Sequence, residues 1–502
     1  MISFLKRQSQ WKLSLLSGVL IGLSYPPLKL GFFAWFGLVP LLIVLSRESL
    51  KRGFWNGFLA GVGANVIAVY WLAFNIGTYR WAAFLSMVSA VFYLALFWGL
   101  IGFAFTWVHT RTGKGFLILP FLWVSVEYLV SLGTLGFSWI SLATTQVEYL
   151  PLIQIVEVTG IYGITFWLIV LNILIYRMVD LPRITFKRTV ILCAVLFVIP
   201  WIFGGLRLVS MTSNPGDNNT FRVSLVQPNV FPKDKWDPSK RDWNFHHLDS
   251  LFVEVAKENP QLVIWPESAV PAYLRKNRRR LKKVVKRVTE TNIPLLTGTI
   301  DWQYEGDERK VFNGVLLIKP ADDLSIFHKI HLVPFGEYVP LSDWFPVLDE
   351  INLGQGNYDN GDTYTIFDVD SIQFASCICF EAIFPGLVRE FVRRDAKFLV
   401  VVVNDGWYGN TSEPFQHAMI CRFRAIENRM PLVRCANTGI SVIYDAAGRI
   451  VEKLSVNREG ILSAGISPKQ VVTFYAKHGD IFVQLCLFLG LIFGGFVWFR
   501  NR

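Results

Sequence analysis

A chain of 502 residues is too long for a single hydrophobic core, and 52% hydrophobic content with 18 tryptophans and a mean hydropathy of +0.39 is too apolar for an ordinary pair of soluble domains. The formal net charge of +11 suggests a polyanionic partner, but the placement of the charges along the chain argues against nucleic acid.

Long apolar runs with few charges fill residues 11–208, ordinary globular composition fills 218–475, and 481–499 is apolar again. This pattern predicts a membrane domain over 1–210, a water-exposed domain over 218–475 and a last membrane helix over 481–499. At about 20 apolar residues per crossing, helices are expected near 12–25, 31–46, 54–76, 82–107, 116–131, 155–176, 189–208 and 481–499, giving seven crossings before the water-exposed domain and about eight in all. Pro26 and Pro27 separate the first pair tightly. Residues 132–151, apolar but Gly-rich and interrupted by polar side chains, read as an interfacial or re-entrant stretch. Glu127 and Glu157 sit inside apolar runs, where they either line a route for lipids or hydrogen-bond between helices.

Lys and Arg accumulate in short cytoplasmic loops. With the N-terminus inside, the inside segments hold Lys6, Arg7, Lys12, Arg47, Lys51, Arg52, Arg111, Lys114, Arg177, Arg183, Lys187, Arg188, Arg500 and Arg502, against only Lys29 and Arg80 in the opposite loops. Both termini are therefore expected in the cytoplasm and the 218–475 domain outside it, with the first helix a retained anchor. The basic run RKNRRRLKKVVKR at 275–287 then faces no nucleic acid. Its Leu281, Val284, Val285 and Val288 recur at helical spacing, so it reads as an amphipathic helix with a solvated or lipid-attracted basic face. The six cysteines show no metal-ligand spacing and no metal is expected; Cys421 with Cys435 is a possible disulfide, with small buried hydrophobes as the other reading.

From residue 221 on, β-branched runs (FRVSLVQ, LVIW, PLLTGTI, GVLLIK, IQFASCIC, KFLVVVVN, PLVRCAN, ISVIYD, ILSAGI) alternate with helical patterns near 244–258, 273–291, 384–394 and 414–428, an α/β domain. Three segments end in reactive residues. VIWPESAVP places Glu267 at the end of a buried strand, as a general base or a helix cap. FHKIHLVPFGEYVP holds Lys329, His331 and Glu337 without clear periodicity; alone, Lys329 reads equally as a solvated edge residue and His331 as a core group. IQFASCICFEAIFP brings a strand to Cys379 and Glu381, with Pro385 soon after, as expected of a nucleophile at a sharp strand-to-helix turn or of an inert buried thiol. Trp407 and Tyr408 in the NDGWYGN turn form an apolar wall, a lid or part of the domain core, and the loop 345–361 is a second lid candidate.

The order of Glu in WPE, Lys in HKIHLVPFGE and Cys in CFE resembles the Glu, Lys and Cys triad of the carbon–nitrogen hydrolase (nitrilase) superfamily. GFFAWFGLVPLL, NVIAVYWLAF, PFLWVSVEYL, GFSWISLATTQ, VSLVQPN, NDGWYGNTSEPFQH and RFRAIENRMPLVRCANTGIS extend the resemblance from residue 20 to 475, to that superfamily's membrane branch, the apolipoprotein N-acyltransferase family. One departure is Phe380, where many relatives carry Tyr. The resemblance implies a nitrilase-like αββα sandwich over about 218–472. It implies transfer of a fatty acyl chain from a membrane phospholipid to the α-amino group of a diacylglyceryl-modified apolipoprotein cysteine, by a monomer with no cofactor, in ping-pong order. Glu267 is then the general base, Lys329 the oxyanion and thiolate stabiliser, Cys379 the nucleophile, and Glu337 and Glu381 their supports.

Overall fold

The computed structural model describes residues 8–180, 183–211, 220–340, 356–469 and 471–500. Most of the 345–361 loop lies outside the described residues, as do Lys6, Arg7 and Arg502 of the charge pattern. The described residues divide into two compact units, one holding the chain up to Phe74, from Arg80 through residue 211 and from His478 on, the other holding Asn75–Tyr79 and residues 220–477.

The first unit is helical. Arg80–Thr112, Phe186–Ser210 and Ile481–Phe499 are long and apolar enough to cross a membrane, whereas Gln10–Leu23, Gly31–Leu45, Gly115–Val130 and Tyr162–Met178 are apolar but shorter. The predicted 54–76 helix is instead Leu50–Ala68 followed by a 3-10 turn at Tyr70–Phe74. It mixes glycines and asparagines with its apolar residues because it packs by close approach. A Cβ on Gly57 would stand 2.4 Å from the carbonyl oxygen of Trp98, and one on Gly102 2.3 Å from that of Gly53, so backbone meets backbone. The predicted 155–176 helix begins only at Tyr162, because Gly160 at φ +61° ends the short turn Val156–Thr159.

Within 132–151 the chain makes 3-10 turns at Ser138–Ile140 and Leu142–Gln146, and Trp139 and Leu142 to Gln146 are buried in the unit. The Glu127 carboxylate fixes this stretch, accepting from Ser141 Oγ (2.8 Å), Leu142 N–H (2.9 Å) and Thr165 Oγ1 (2.8 Å). Glu157 pairs with Arg207 at 2.6 and 2.9 Å. Both carboxylates thus have helix-to-helix partners, which is how an acid is tolerated among apolar side chains.

In the second unit, β1 (Phe221–Gln227), β2 (Leu262–Ile264), β3 (Leu295–Glu305), β4 (Glu308–Lys319), β5 (Asp323–His328) and β12 (Gly460–Ile466) form one sheet in the order β12-β1-β2-β3-β4-β5. The other sheet, β11-β10-β9-β8-β7-β6, is built from β6 (Phe367–Val369), β7 (Ile372–Ile378), β8 (Leu399–Val403), β9 (Leu432–Ala436), β10 (Ser441–Tyr444) and β11 (Ile450–Leu454). Each sheet has three parallel strands, β1-β2-β3 and β7-β8-β9, extended by antiparallel neighbours. Alternate side chains explain the layering. Phe221, Val223 and Leu225 join Val401 and Phe374 between the sheets, while Val226, Val263 and Leu295 turn the other way, onto Phe252 of helix Arg241–Ala256 and Val284 and Val288 of helix Arg278–Thr291. Helices Pro385–Arg393 and Glu413–Asn428 cover the second sheet, completing an αββα sandwich.

The basic run 275–287 therefore buries its valine stripe. Its outward arginines meet acids, Arg287 with Asp249 (2.9 Å) and Arg280 with Asp242 (3.1 Å). Cys421 and Cys435 are buried free thiols, not a disulfide.

β2 is followed by the Glu267 turn, which lies against β3 so closely that a Cβ on Gly298 would stand 2.5 Å from Ser268 N and 2.6 Å from Glu267 Cα. Gly298→Ala is therefore expected to destabilise the protein by about 1–3 kcal/mol and to displace Glu267. The checks are a lowered thermal midpoint of the full chain in detergent and a loss of turnover beyond what that instability explains.

Candidate active site

Three strand ends converge. Glu267 follows β2, Lys329 follows β5 directly, and Cys379 ends β7. Lys329 is fully buried, not a solvated edge residue. Its Nζ lies 2.9 Å from Glu337 Oε1 and 2.7 Å from Oε2. Glu337 also accepts from Asn313 Nδ2 (2.9 Å) and Val333 N–H (2.8 Å), and Asn313 Nδ2 reaches on to Glu267 Oε1 at 2.8 Å. One asparagine thus ties the two carboxylates. The Glu267 main chain is pinned in turn by the buried Lys235, whose Nζ donates to its carbonyl oxygen at 2.8 Å.

The electrostatics follow from burial. Desolvation pushes the Glu267 pKa up; Lys329 pulls it down and Glu337 pushes it up again. The result is a carboxylate more basic than usual, as a general base requires. Burial opposes the charge on Lys329, but Glu337 and Glu267 more than offset this and hold its pKa above the ordinary value, so it stays an ammonium. Burial, with Glu267 adding to it, raises the Cys379 thiol well above its ordinary pKa, against the pull of Lys329. At rest Cys379 is a neutral thiol. Lys235, desolvated, is lowered to about 8.

Cys379 has φ +51°, in the left-handed region that a non-glycine residue adopts only under constraint. The turn is held by Glu381, which is fully buried. Its Oε2 accepts from Ile378 N–H (2.8 Å) and its Oε1 from Ile330 N–H (2.7 Å) and His331 N–H (3.1 Å), joining the Cys379 turn to the chain after Lys329. Burial raises the Glu381 pKa to about 7, and the three backbone donors oppose that rise. The His331 ring packs tilted against Phe384, centroids 4.0 Å apart, and burial lowers its pKa to about 4, so it is neutral. Phe380 packs on Phe384 at 5.2 Å.

Trp407 and Tyr408 form a 3-10 turn with Asp405. Burial raises the Tyr408 pKa, and the nearby Glu413 carboxylate adds to the rise. The Trp407 carbonyl accepts from Ile76 N–H of the Asn75–Tyr79 segment at 2.9 Å.

Cys379, Asp405 and His417 offer donor atoms within 4.8 Å of one another. A metal fits poorly there: His417 Nε2 is engaged by the Cys379 carbonyl (3.1 Å), Nδ1 by Asp405 (3.0 Å), and Arg434 occupies both Asp405 oxygens. The reading of single segments missed Asn313, Lys235 and His417. Asn313 alone left a signal, an amide inside the apolar run of β4; Lys235 sits in a polar turn, and His417 in a motif quoted only for its likeness.

Residues 17–174 match the family described as the apolipoprotein N-acyltransferase N-terminal domain, and residues 222–475 match the carbon-nitrogen hydrolase family. The chain is 33% identical over 486 residues to the apolipoprotein N-acyltransferase of Geobacter metallireducens, covering 95% of this chain and 92% of that protein. It is 32% identical over 507 residues to the apolipoprotein N-acyltransferase of Chlorobaculum tepidum, covering 95% and 94%. Among solved structures it is similar to Saccharomyces cerevisiae Nit3, a member of branch 10 of the nitrilase superfamily, at 19% identity, covering 50% of this chain and 91% of that one with a TM-score of 0.39.

Asn313→Leu removes a hydrogen bond that lowers the Glu267 pKa, so that pKa rises further. A base works ionised. The acid limb of the pH–turnover profile should move to higher pH, by about one unit, while the alkaline limb stays in place.

Proposed function

The chain belongs to the apolipoprotein N-acyltransferase family of the carbon–nitrogen hydrolase superfamily, and from that premise we propose that it moves a fatty acyl chain from a membrane phospholipid, through a thioester on Cys379, to the α-amino group of the N-terminal S-diacylglyceryl-cysteine of an apolipoprotein. That it is an integral membrane acyltransferase of lipoprotein N-acylation follows from the family and its apolar helices. The donor, the thioester and the residue roles are the reading offered here.

In the first half-reaction Glu267 takes the proton of the Cys379 thiol as sulfur attacks the donor ester carbonyl. Negative charge develops on the carbonyl oxygen, and the Lys329 ammonium stabilises it. Collapse expels the lysophospholipid alkoxide, which takes the proton back from Glu267 and leaves the thioester. In the second half, the acceptor amine attacks the thioester carbonyl while Glu267 removes its proton. The tetrahedral intermediate then expels Cys379 sulfur, which recovers the proton, and the amide leaves. Two substrates using one base and one thiol in turn gives ping-pong kinetics.

The observation that carries the reading is the fully buried Lys329 ammonium, held by Glu337 and acting on both Glu267 and a neutral thiol at the end of β7. Glu337 and Glu381 position these groups. Trp407 and Tyr408, in the turn that also carries Asp405, wall the acyl chain. We place the α/β unit outside the cytoplasm at a bacterial inner membrane, with both termini inside, seven crossings over 1–210 and an eighth over 481–499. The support is the loop charge, fourteen Lys and Arg residues on one side against Lys29 and Arg80 on the other.

Incubating the purified protein with phospholipid should add one acyl mass to Cys379, seen by intact mass, and none to Cys379→Ala. A diacylglyceryl peptide should then discharge it as N-acyl peptide, with lysophospholipid in equal amount. No adduct, or an equal adduct on the alanine variant, would overturn the thioester. Lys329→Met should lower turnover on the order of 100-fold or more, with the phospholipid KM little changed.

A further inference from the structure

Beside the nucleophile lies a second group of buried charges that takes no part in the steps above. Asp405, Glu413, His417 and Arg434 are each at most 3% exposed. Ionisable groups are tolerated at such depth only when paired, and here the pairing is close. Arg434 Nη2 lies 3.0 Å from Asp405 Oδ1 and 2.8 Å from Oδ2, and its Nη1 donates to the carbonyl of Ile440. His417 Nδ1 lies 3.0 Å from Asp405 Oδ1 and 3.6 Å from Glu413 Oε1. Arg434 Nη2, 3.1 Å from the same ring nitrogen, is the one like charge against it. Burial and Arg434 disfavour a protonated ring, but the hydrogen bond to Asp405 and the nearby Glu413 carboxylate outweigh them, and the His417 pKa is raised.

The group reaches the main chain of Cys379 through His417. His417 Nε2 is 3.1 Å from the carbonyl oxygen of Cys379 itself. A carbonyl only accepts, so Nε2 carries the proton and donates. Cys379 is the residue whose left-handed backbone needs an external hold. Glu381 supplies half of it, taking the Ile378 N–H on the near side of the turn. The His417 bond takes the carbonyl on the far side.

We infer that His417 is a positioning residue for the nucleophile: its Nε2–H holds the Cys379 carbonyl and so fixes the turn that presents Sγ to Glu267 and Lys329, while Asp405, backed by Arg434, sets the orientation of the ring through Nδ1. The ring reaches within 4.8 Å of Sγ but points its proton at the main chain, so it acts through geometry and exchanges no proton with substrate. This rests on Cys379 being the nucleophile.

The test uses the full chain in detergent and two readouts, alkylation of Cys379 by iodoacetamide followed by peptide mass, and acyl-adduct formation from phospholipid. His417→Ala should slow both by about 10- to 100-fold, the loss of one charge-assisted hydrogen bond, with the phospholipid KM unchanged. His417→Gln, whose amide N–H still reaches a carbonyl, should recover most of the rate, which a general packing defect would not allow. Wild-type rates in His417→Ala, or a glutamine variant as slow as the alanine one, would overturn the inference. The alkylation readout decides it whether or not the wild-type protein takes an acyl group, so failure of the acyl-transfer reading and failure of this one register separately.

Discussion

The site depends on the ion pair between Lys329 and Glu337, both withdrawn from water. An ammonium at that depth persists only opposite a carboxylate, and the carboxylate in turn needs its remaining lone pairs filled. Asn313 and the Val333 amide fill them. Because Lys329 is matched to Glu337, the second carboxylate, Glu267, shares a cation already engaged. Its basicity follows first from burial, which Lys329 opposes and Glu337 reinforces. Lys235, the other buried ammonium nearby, is turned to the Glu267 carbonyl oxygen and leaves the carboxylate short of a direct cation partner.

A rigid charge arrangement is of use only if the thiol meets it, and the thiol sits on a turn that its own backbone would not choose. The αββα scaffold supplies the compensation from several layers at once. Glu381 links the turn to the segment after β5, and a buried network between β9 and helix Glu413–Asn428 reaches it from the other side. The strain at Cys379 is thereby spread over elements whose hydrophobic burial is large, and a left-handed conformation is kept there without a glycine.

Much of this was legible in the sequence, for identifiable reasons. Buried strands such as LVVVV of β8 are continuous β-branched runs, and the order of Glu267, Lys329 and Cys379 carried more information than any of their surroundings. β5 escaped notice because DLSIFH is short and half polar, and with it went the reason that Lys329 is placed where it is, at the end of a strand and not in an irregular stretch. PLLTGTI and GVLLIK stood in succession without a helical pattern between them, and β3, β4 and β5 form an antiparallel meander. In the helical unit, length and hydropathy located the helices but not their ends. Gly160 breaks one, and the small residues that let Leu50–Ala68 lie against Arg80–Thr112 read as weak apolarity. Partners such as Asn313 and His417 act through single hydrogen bonds to residues distant in the chain, and no local pattern announces such a bond.

The register of β1 against β12 has a consequence for biogenesis. Phe221 lies opposite Ile466 and Gln227 opposite Gly460, so the first strand of the α/β unit is flanked on one side by the last. The ribosome delivers β12 after every other strand, and contacts between segments so far apart in sequence form slowly. Until then β1 is an open sheet edge, able to pair with a foreign strand. Folding of this unit is therefore tied to completion of its chain: a ribosome that stalls before residue 460 leaves a product whose first sheet lacks its closing strand, however well the preceding strands have formed.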